Sequence, residues 1–590
     1  MTRKDRCDQI LAAVTLHVDT VLEKCRDRWG ESSPLFLDSY DIDADGPVPW
    51  HLNGKEHLVS NFSHQQTLLR ILANLTRVSG DGRYHDAALT TIRYALDRCG
   101  TGNGLGYWGS HMAWDLATEG PVTYPNWPYH EFVSCTPPYE LWYEADAKRT
   151  EAFIDALWGG HVLAWDRLEF NRHARARRTH RPKWGAPFDG DLSVPFIGRR
   201  HTTTYSGQAH SMLCAGAALT RLTGRPEGLL WARRLGRRFV QARNEASGLS
   251  GTRYSYQKAI PAELERIRGK ALKSHRGYKS DHAYLEWGET FGSYLMQHKM
   301  IMAPRRHRDL ISRYQRYPIA LLNAAARDPE GAADLAQWAI EDLKAYARHA
   351  YDLETHRIHA IHIDGSHLPV DKMFADRERH ERFTKRRCLP RQVTSWFAWP
   401  YARAYLAEPD PDIWQTLRSM ARGLGLGDIG TPAGEGRTLA SEPAVSDPFA
   451  ILIATLLYRS TSDPDFLDLG LDMAERMIRE RLHEGFFVLS PRHYIARVGD
   501  TDAAALLHLV AAARGIDGLW PVTDDVSCLF LPHDRFKSKL DWGRFRENVL
   551  YLRTRETKDM DLAQFVAWIS ERNYTPVFDH EDDASRQAGQ

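Results

Sequence analysis

A chain of 590 residues, 43% hydrophobic and 26% charged, is long enough to bury a large core and has the composition of a soluble globular protein. Its 77 basic and 76 acidic side chains leave a net charge of +1, so no global field draws it to nucleic acid or an anionic membrane. No apolar run reaches the roughly 20 residues of a membrane span. Seven cysteines (Cys7, Cys25, Cys99, Cys135, Cys214, Cys388, Cys528), odd in number and without a C-x-x-C pair, argue for free thiols in a reducing compartment.

The N-terminus is basic, but the apolar run that follows is broken by His17 and ended by Asp19. Ile10, Leu11, Val14, Val18, Val21 and Leu22 fit one face of a helix over residues 4–27 instead of a signal peptide, so the expected location is cytoplasmic. Residues 38–50 read as a loop. Ser63-x-x-Gln66 has the pattern of a capping box, and Leu68, Ile71, Leu72 and Leu75 supply the helical stripe behind it. That helix ends in a polar turn at 76–81, and a second runs from about Tyr84 to Cys99.

The arrangement recurs. Residues 213–222 and 227–243 flank the turn 220–225, and residues 451–457 and 466–481 flank the turn 458–463. A glycine-led extended piece follows each pair, at Gly104, Gly248 and Gly485. Weakly similar helix pairs mark an all-α repeat architecture, either an open solenoid or a closed ring of inner and outer helices, an α/α toroid. The extended pieces favour the ring, with the whole chain as one domain, loops converging on a central cleft, and a frayed acidic tail at 579–590. Two basic runs, 171–184 and 377–391, read as solvated faces, the first with the alternative of a subsite for an acidic polymer. Gly425-Leu-Gly-Asp-Ile-Gly430 matches a dinucleotide-binding pattern, but a helical segment precedes it where that motif needs a strand.

The chemistry-bearing stretch is Leu168-Glu-Phe-Asn-Arg-His173, after an amphipathic segment over 153–165. Upstream lie Trp108-Gly-Ser-His111 and His130-Glu131, the latter ahead of an expected helix over 139–147. Two imidazoles and a carboxylate suit a divalent ion of borderline softness, and an arginine beside them suits an anionic substrate. His111, Glu131, Arg172 and His173 are therefore the expected working centre.

These segments resemble the pectate lyases of polysaccharide lyase family 2. The likeness lies in Tyr107 to His111, His130-Glu131-Phe132, Pro138 to Leu141, Ala156 to Val162 and Leu168 to His173, and later in Gly485 to Val488 and Ala504 to His508. It implies an α/α toroid with His111, Glu131 and His173 holding a transition ion, typically manganese (cobalt, nickel and zinc being alternatives), and Arg172 as catalytic base. It implies β-elimination on a polyuronate, an acidic oligo- or polysaccharide. Ser110 and Ala174 stand where the family commonly has glycine, and residues 133–136 are also unusual. Trp108 and Trp127 are candidates to stack on sugar rings, and Arg253 and Tyr254, with His282, Glu286 and Glu289, are candidates to line the cleft; for each, ordinary packing or surface exposure is the favoured reading. Two other readings compete: a hydrolase using Glu131 and Glu289 as its acid and base, and a non-catalytic helical-repeat scaffold.

Overall fold

The structure is a computed structural model that describes residues 1–52, 54–109, 111–123, 128–131, 136–178, 180–194, 196–197, 204, 206–250, 254–256, 307–359, 361, 365–367, 390–523, 551, 553–560, 564–565 and 568. Among these residues lie fourteen α-helices and only short strands. Contacts divide the chain into two units. The first comprises Met1–Gly160, His173–Pro182 and Leu439–Trp568. The second comprises His161–Arg172, Lys183–Thr438 and Ile569–Gln590.

The first helix, α1 (Arg3–Lys24), is set by Thr2, whose hydroxyl accepts from the Asp5 amide while the Asp5 carboxylate accepts from the Thr2 amide. Its stripe of Ile10, Val14, Val18 and Val21 is fully buried. After it come α2 (Gln66–Ser79), α3 (Arg83–Arg98), α4 (Tyr139–Ala145) and α5 (Ala147–His161). The second unit holds α6 (Ser206–Thr223), α7 (Pro226–Gln241), α8 (His307–Arg327), α9 (Ala333–Ala350), α10 (Ser395–Ala407) and α11 (Pro411–Gly423). The chain returns to the first unit with α12 (Pro448–Thr461), α13 (Pro464–Arg481) and α14 (Thr501–Ala513).

Within the second unit α6 packs on α8 and α8 on α10, while α7 packs on α9 and α9 on α11, so two rows of helices form. In the first unit α12 packs on α14 and α14 on α2, beside a second row of α13 and α1. Helices of the first kind, such as α10, α12 and α14, are buried nearly all round. Those of the second kind, such as α11 and α13, bury one stripe. Within the first unit α14 also packs on α1 and α2, and the mostly helical, paired architecture is of the α/α toroid class.

The repeat is visible in its turns. Thr76 Oγ1 donates to the Asp81 carbonyl and accepts from the His85 amide (2.8 and 2.9 Å). Thr220 Oγ1 does the same with Arg225 and Leu229 (2.6 and 2.7 Å). Each first helix ends on a left-handed residue: Gly80, Gly224 and, in the third copy, Ser462. The extended pieces are closed alike. Tyr107 N donates to Cys99 O, Asn171 N to His161 O, His359 N to Ala350 O and Val488 N to Arg481 O, each at 2.7–2.9 Å. Trp108 to His111 and Arg172–His173 therefore leave their helix pairs from equivalent points.

Several expected boundaries move. The helix expected over 4–27 ends at Lys24, and the stretch 38–50 expected as a loop holds Ser39–Asp41, which pairs with Ile495–Arg497. Ser63 caps nothing: residues Phe62–Gln65 form a 3-10 turn, α2 begins at Gln66, and Ser63 Oγ donates to Asn61 Oδ1. The helix expected over 139–147 breaks at Asp146, whose carboxylate accepts from the Arg149 amide and so starts α5. The segment expected to stay amphipathic to Trp165 stops being helical at His161, because Val162–Ala164 turns back to pair with Glu169–Phe170. The glycine-rich segment at 425–430 contains the short strand Gly427–Asp428, whose Asp428 is held by Arg418 and Arg422. Cys7, Cys25, Cys99 and Cys214 are buried free thiols, while Cys135, Cys388 and Cys528 lie outside the described residues. No described helix is long and apolar enough to cross a membrane.

Candidate metal centre

Three short backbone segments of the first unit lie side by side. Tyr129–His130 pairs antiparallel with Ala174–Arg175, with His130 opposite Ala174 and Tyr129 opposite Arg175. One further step in that register sets Glu131 opposite His173. On its other side Glu131 bridges to Gly109 in parallel fashion. Side chains alternate along extended backbone. His130 and Ala174 accordingly turn inward, at 0% and 2% exposure, and His130 packs edge-on to Phe153. Glu131 and His173 share the opposite face, and His111, two residues beyond Gly109, joins them.

The donor atoms converge. Glu131 Oε2 lies 2.5 Å from His111 Nε2 and 3.2 Å from His173 Nε2, and the two imidazole nitrogens are 3.2 Å apart. All three ligating atoms fall within 4.8 Å of one another, a group that could hold a metal ion. Ligands about 2.1 Å from one ion are themselves about 3 Å apart, so the spacing suits a single centre. Glu131 is buried, whereas the side chains of His111 and His173 are 17% and 20% exposed, leaving an open side toward solvent.

The loop that carries His111 is held by groups the sequence did not mark. Asn61, fully buried, treats the Gly109 peptide as a neighbouring strand would: Nδ2 donates to its carbonyl at 2.8 Å and Oδ1 accepts from its amide at 3.0 Å. Asn61 Nδ2 also reaches the Met112 carbonyl, at 3.3 Å. Asp38 fixes Asn61 in turn, accepting from its amide at 2.8 Å and holding His64 Nδ1 at 2.8 Å. Asn61 follows directly on Val59–Ser60, which pairs with Met112–Asp115, so one small sheet positions both the clamp and the clamped loop. His64 lies in the stretch read as a capping box, and nothing in the local pattern reveals its partner 26 residues away.

Other expected site residues fare differently. Arg172 is half-buried and immediately precedes His173, at the end of the hairpin closed by Asn171. Trp108 is not a sugar platform. It is 1% exposed, wedged among Phe62, Trp142 and Phe153. Tyr254 is also a core residue, 0% exposed, with its hydroxyl donating to the Leu168 carbonyl and its ring against Phe239. Burial raises its phenol well above the usual range. Trp127, Arg253, His282, Glu286 and Glu289 lie outside the described residues, as do residues 132–135, 377–389 and 579–590.

Paired helices whose connecting segments carry a His-Glu-His group fit an enzyme of the polysaccharide-lyase class, which breaks carbon–oxygen bonds. The chain belongs to the family described as periplasmic pectate lyase, whose profile matches residues 33–527. It is 26% identical over 528 residues to a pectate disaccharide-lyase of Dickeya dadantii (strain 3937), covering 87% of this chain and 91% of that protein. Among solved structures it is similar to an α-1,2-mannosidase from Trichoderma reesei (9% identity, TM-score 0.44, 89% and 96% of the two chains). It is similar also to a D-mannose isomerase (13% identity, TM-score 0.40, 86% and 98%). Family membership sets aside the non-catalytic scaffold.

Proposed function

We propose that the protein cleaves pectate or oligogalacturonate by metal-assisted β-elimination, with His111, Glu131 and His173 holding a manganese ion (cobalt, nickel or zinc being alternatives) and Arg172 acting as base. The observation that carries this reading is the convergence of three donors within 4.8 Å, one residue along the chain from an arginine. Two neutral imidazoles and one carboxylate fit a transition ion better than calcium, which takes an all-oxygen shell.

The reaction removes the proton on C5 of a uronate, forms a C4–C5 double bond, and expels the glycosidic oxygen from C4. The difficulty is electronic: the carboxylate that must accept the developing charge is already negative. A divalent ion supplies Lewis acidity at that carboxylate. Glu131 lowers the net charge of the cluster by one and, placed between the two imidazoles, keeps both Nε2 atoms aimed at one point. Arg172 takes the C5 proton as the Brønsted base. A guanidinium accepts a proton only once it has lost one, so the rate rises toward alkaline pH.

A cytoplasmic location is part of the same proposal, with short imported oligosaccharides as the substrate. The competing hydrolase yields saturated products, whereas elimination yields a 4,5-unsaturated uronide that absorbs in the ultraviolet. Incubation with oligogalacturonides and Mn2+, with and without a chelator, is the test. Absorbance that rises only without chelator supports the proposal, and saturated products overturn it.

A further inference from the structure

The strand that presents His173 continues past it with the same alternation. Ala174 and Ala176 are buried, and Arg175 and Arg177 are exposed. Arg175 therefore lies on the face that carries His173 and Glu131, one two-residue step along, or about 6.6 Å of extended chain. Directly opposite Arg175 in the pairing is Tyr129, whose half-buried ring lies 5.9 Å from that of His173. A stripe runs along the ribbon: metal donors first, then an aromatic ring facing a guanidinium.

That end of the ribbon is held in place. The Arg175 carbonyl accepts from His180 Nε2 at 2.7 Å and from the Arg178 amide at 3.2 Å. Ala176 N donates to Pro128 O at 2.9 Å, and Asn103 Nδ2 donates to the Ala176 carbonyl at 2.5 Å. The charge is held but not neutralised. Among the described residues no carboxylate pairs with Arg175, Arg177 or Arg178, whereas Arg83, Arg149 and Arg418 each pair with an aspartate.

We infer that Arg175 and Tyr129 form a second sugar subsite beside the metal centre, in which the guanidinium binds the carboxylate of the neighbouring uronate and the phenol ring packs on its sugar face. A planar guanidinium matches a carboxylate through two parallel hydrogen bonds, and an aromatic face matches the C–H face of a pyranose. The subsite makes the enzyme favour longer oligomers over the disaccharide, and a free carboxylate over an ester on the neighbouring sugar. It rests on the polyuronate reading above.

The test compares wild type with Arg175→Gln and Arg175→Lys, using galacturonate oligomers of two to six sugars. Arg175→Gln is expected to lower kcat/KM on the hexamer about tenfold or more, through KM, because a charge-assisted hydrogen bond is lost. Arg175→Lys is expected to recover part of the loss. Calorimetric affinity for Mn2+ stays within about twofold of wild type, and hexamer binding to the metal-free protein weakens in parallel with KM. An unchanged KM, or a loss traced to weaker Mn2+ binding, overturns the subsite while leaving the lyase reading intact. A wild type that forms no unsaturated product overturns both.

Discussion

Gly109 and Glu131 are in backbone contact, and a β-carbon on Gly109 would sit 2.4 Å from the Glu131 carbonyl oxygen. Gly109 also has φ of +108°, a region that L side chains rarely adopt. The candidate metal centre therefore depends on a residue that contributes no donor. Gly109→Ala is expected to push the His111 loop off Glu131 and abolish Mn2+ binding, read by calorimetry. Asn61→Ala, which leaves the Gly109 peptide without its clamp, is expected to weaken Mn2+ about tenfold or more. An Asn61→Ala variant that binds Mn2+ as tightly as wild type would show that the loop holds itself.

Removing a donor should act on metal binding and not on folding. His111 is partly exposed, on a loop outside the helical core. His111→Ala is expected to retain the wild-type circular dichroism spectrum and to lose Mn2+ affinity by a factor of about a hundred or more. Full affinity in this variant would refute the shared site.

Arg172→Lys separates charge from base strength. Lysine keeps the positive charge but not the guanidinium geometry. With metal bound, kcat is expected to fall about a hundredfold or more, the usual scale of a lost general base. Elimination at the wild-type rate would remove arginine from the base role.

Acid should unfold the protein partly through His17. Its ring is completely buried against Phe486 and Phe487, with Nδ1 donating to the Gly485 carbonyl at 3.0 Å. Burial pushes its pKa down to about 4, from an ordinary value of 6.5. The unfolded chain thus binds a proton more readily than the folded one. Stability is full above about pH 6.5 and is lost as pH falls toward 4, by about 3 kcal/mol for the whole window. His493, also held near 4 chiefly by burial, acts in the same direction. His17→Asn is expected to flatten the dependence of Tm on pH between 4 and 6.5. An unaltered slope would assign acid sensitivity elsewhere.

Trp108 should behave as a core residue. Trp108→Ala is expected to cost about 3–5 kcal/mol of stability, measured by denaturant unfolding. A variant of unchanged stability with a raised KM would restore the ring to a sugar-binding role.

The paired helices, their polar turns and the types of the three candidate metal donors were legible in the sequence, because amphipathic stripes, turn residues and ligand chemistry are local properties. The boundary errors were local too: Ser63 has the residues of a cap but is engaged by Asn61, and Asp146 has the residue type of a cap inside an expected helix. Trp108 and Tyr254 took the packing role and not the sugar-binding one, a choice the sequence left open because it names an aromatic ring without saying what surrounds it. What only the tertiary structure decided is register. The antiparallel pairing of 129–130 with 174–175 and the bridge from Gly109 to Glu131 put three distant donors on one face and turned His130 away from them. Backbone hydrogen bonds between segments far apart in the chain set that face, and a slip of one residue would reverse it.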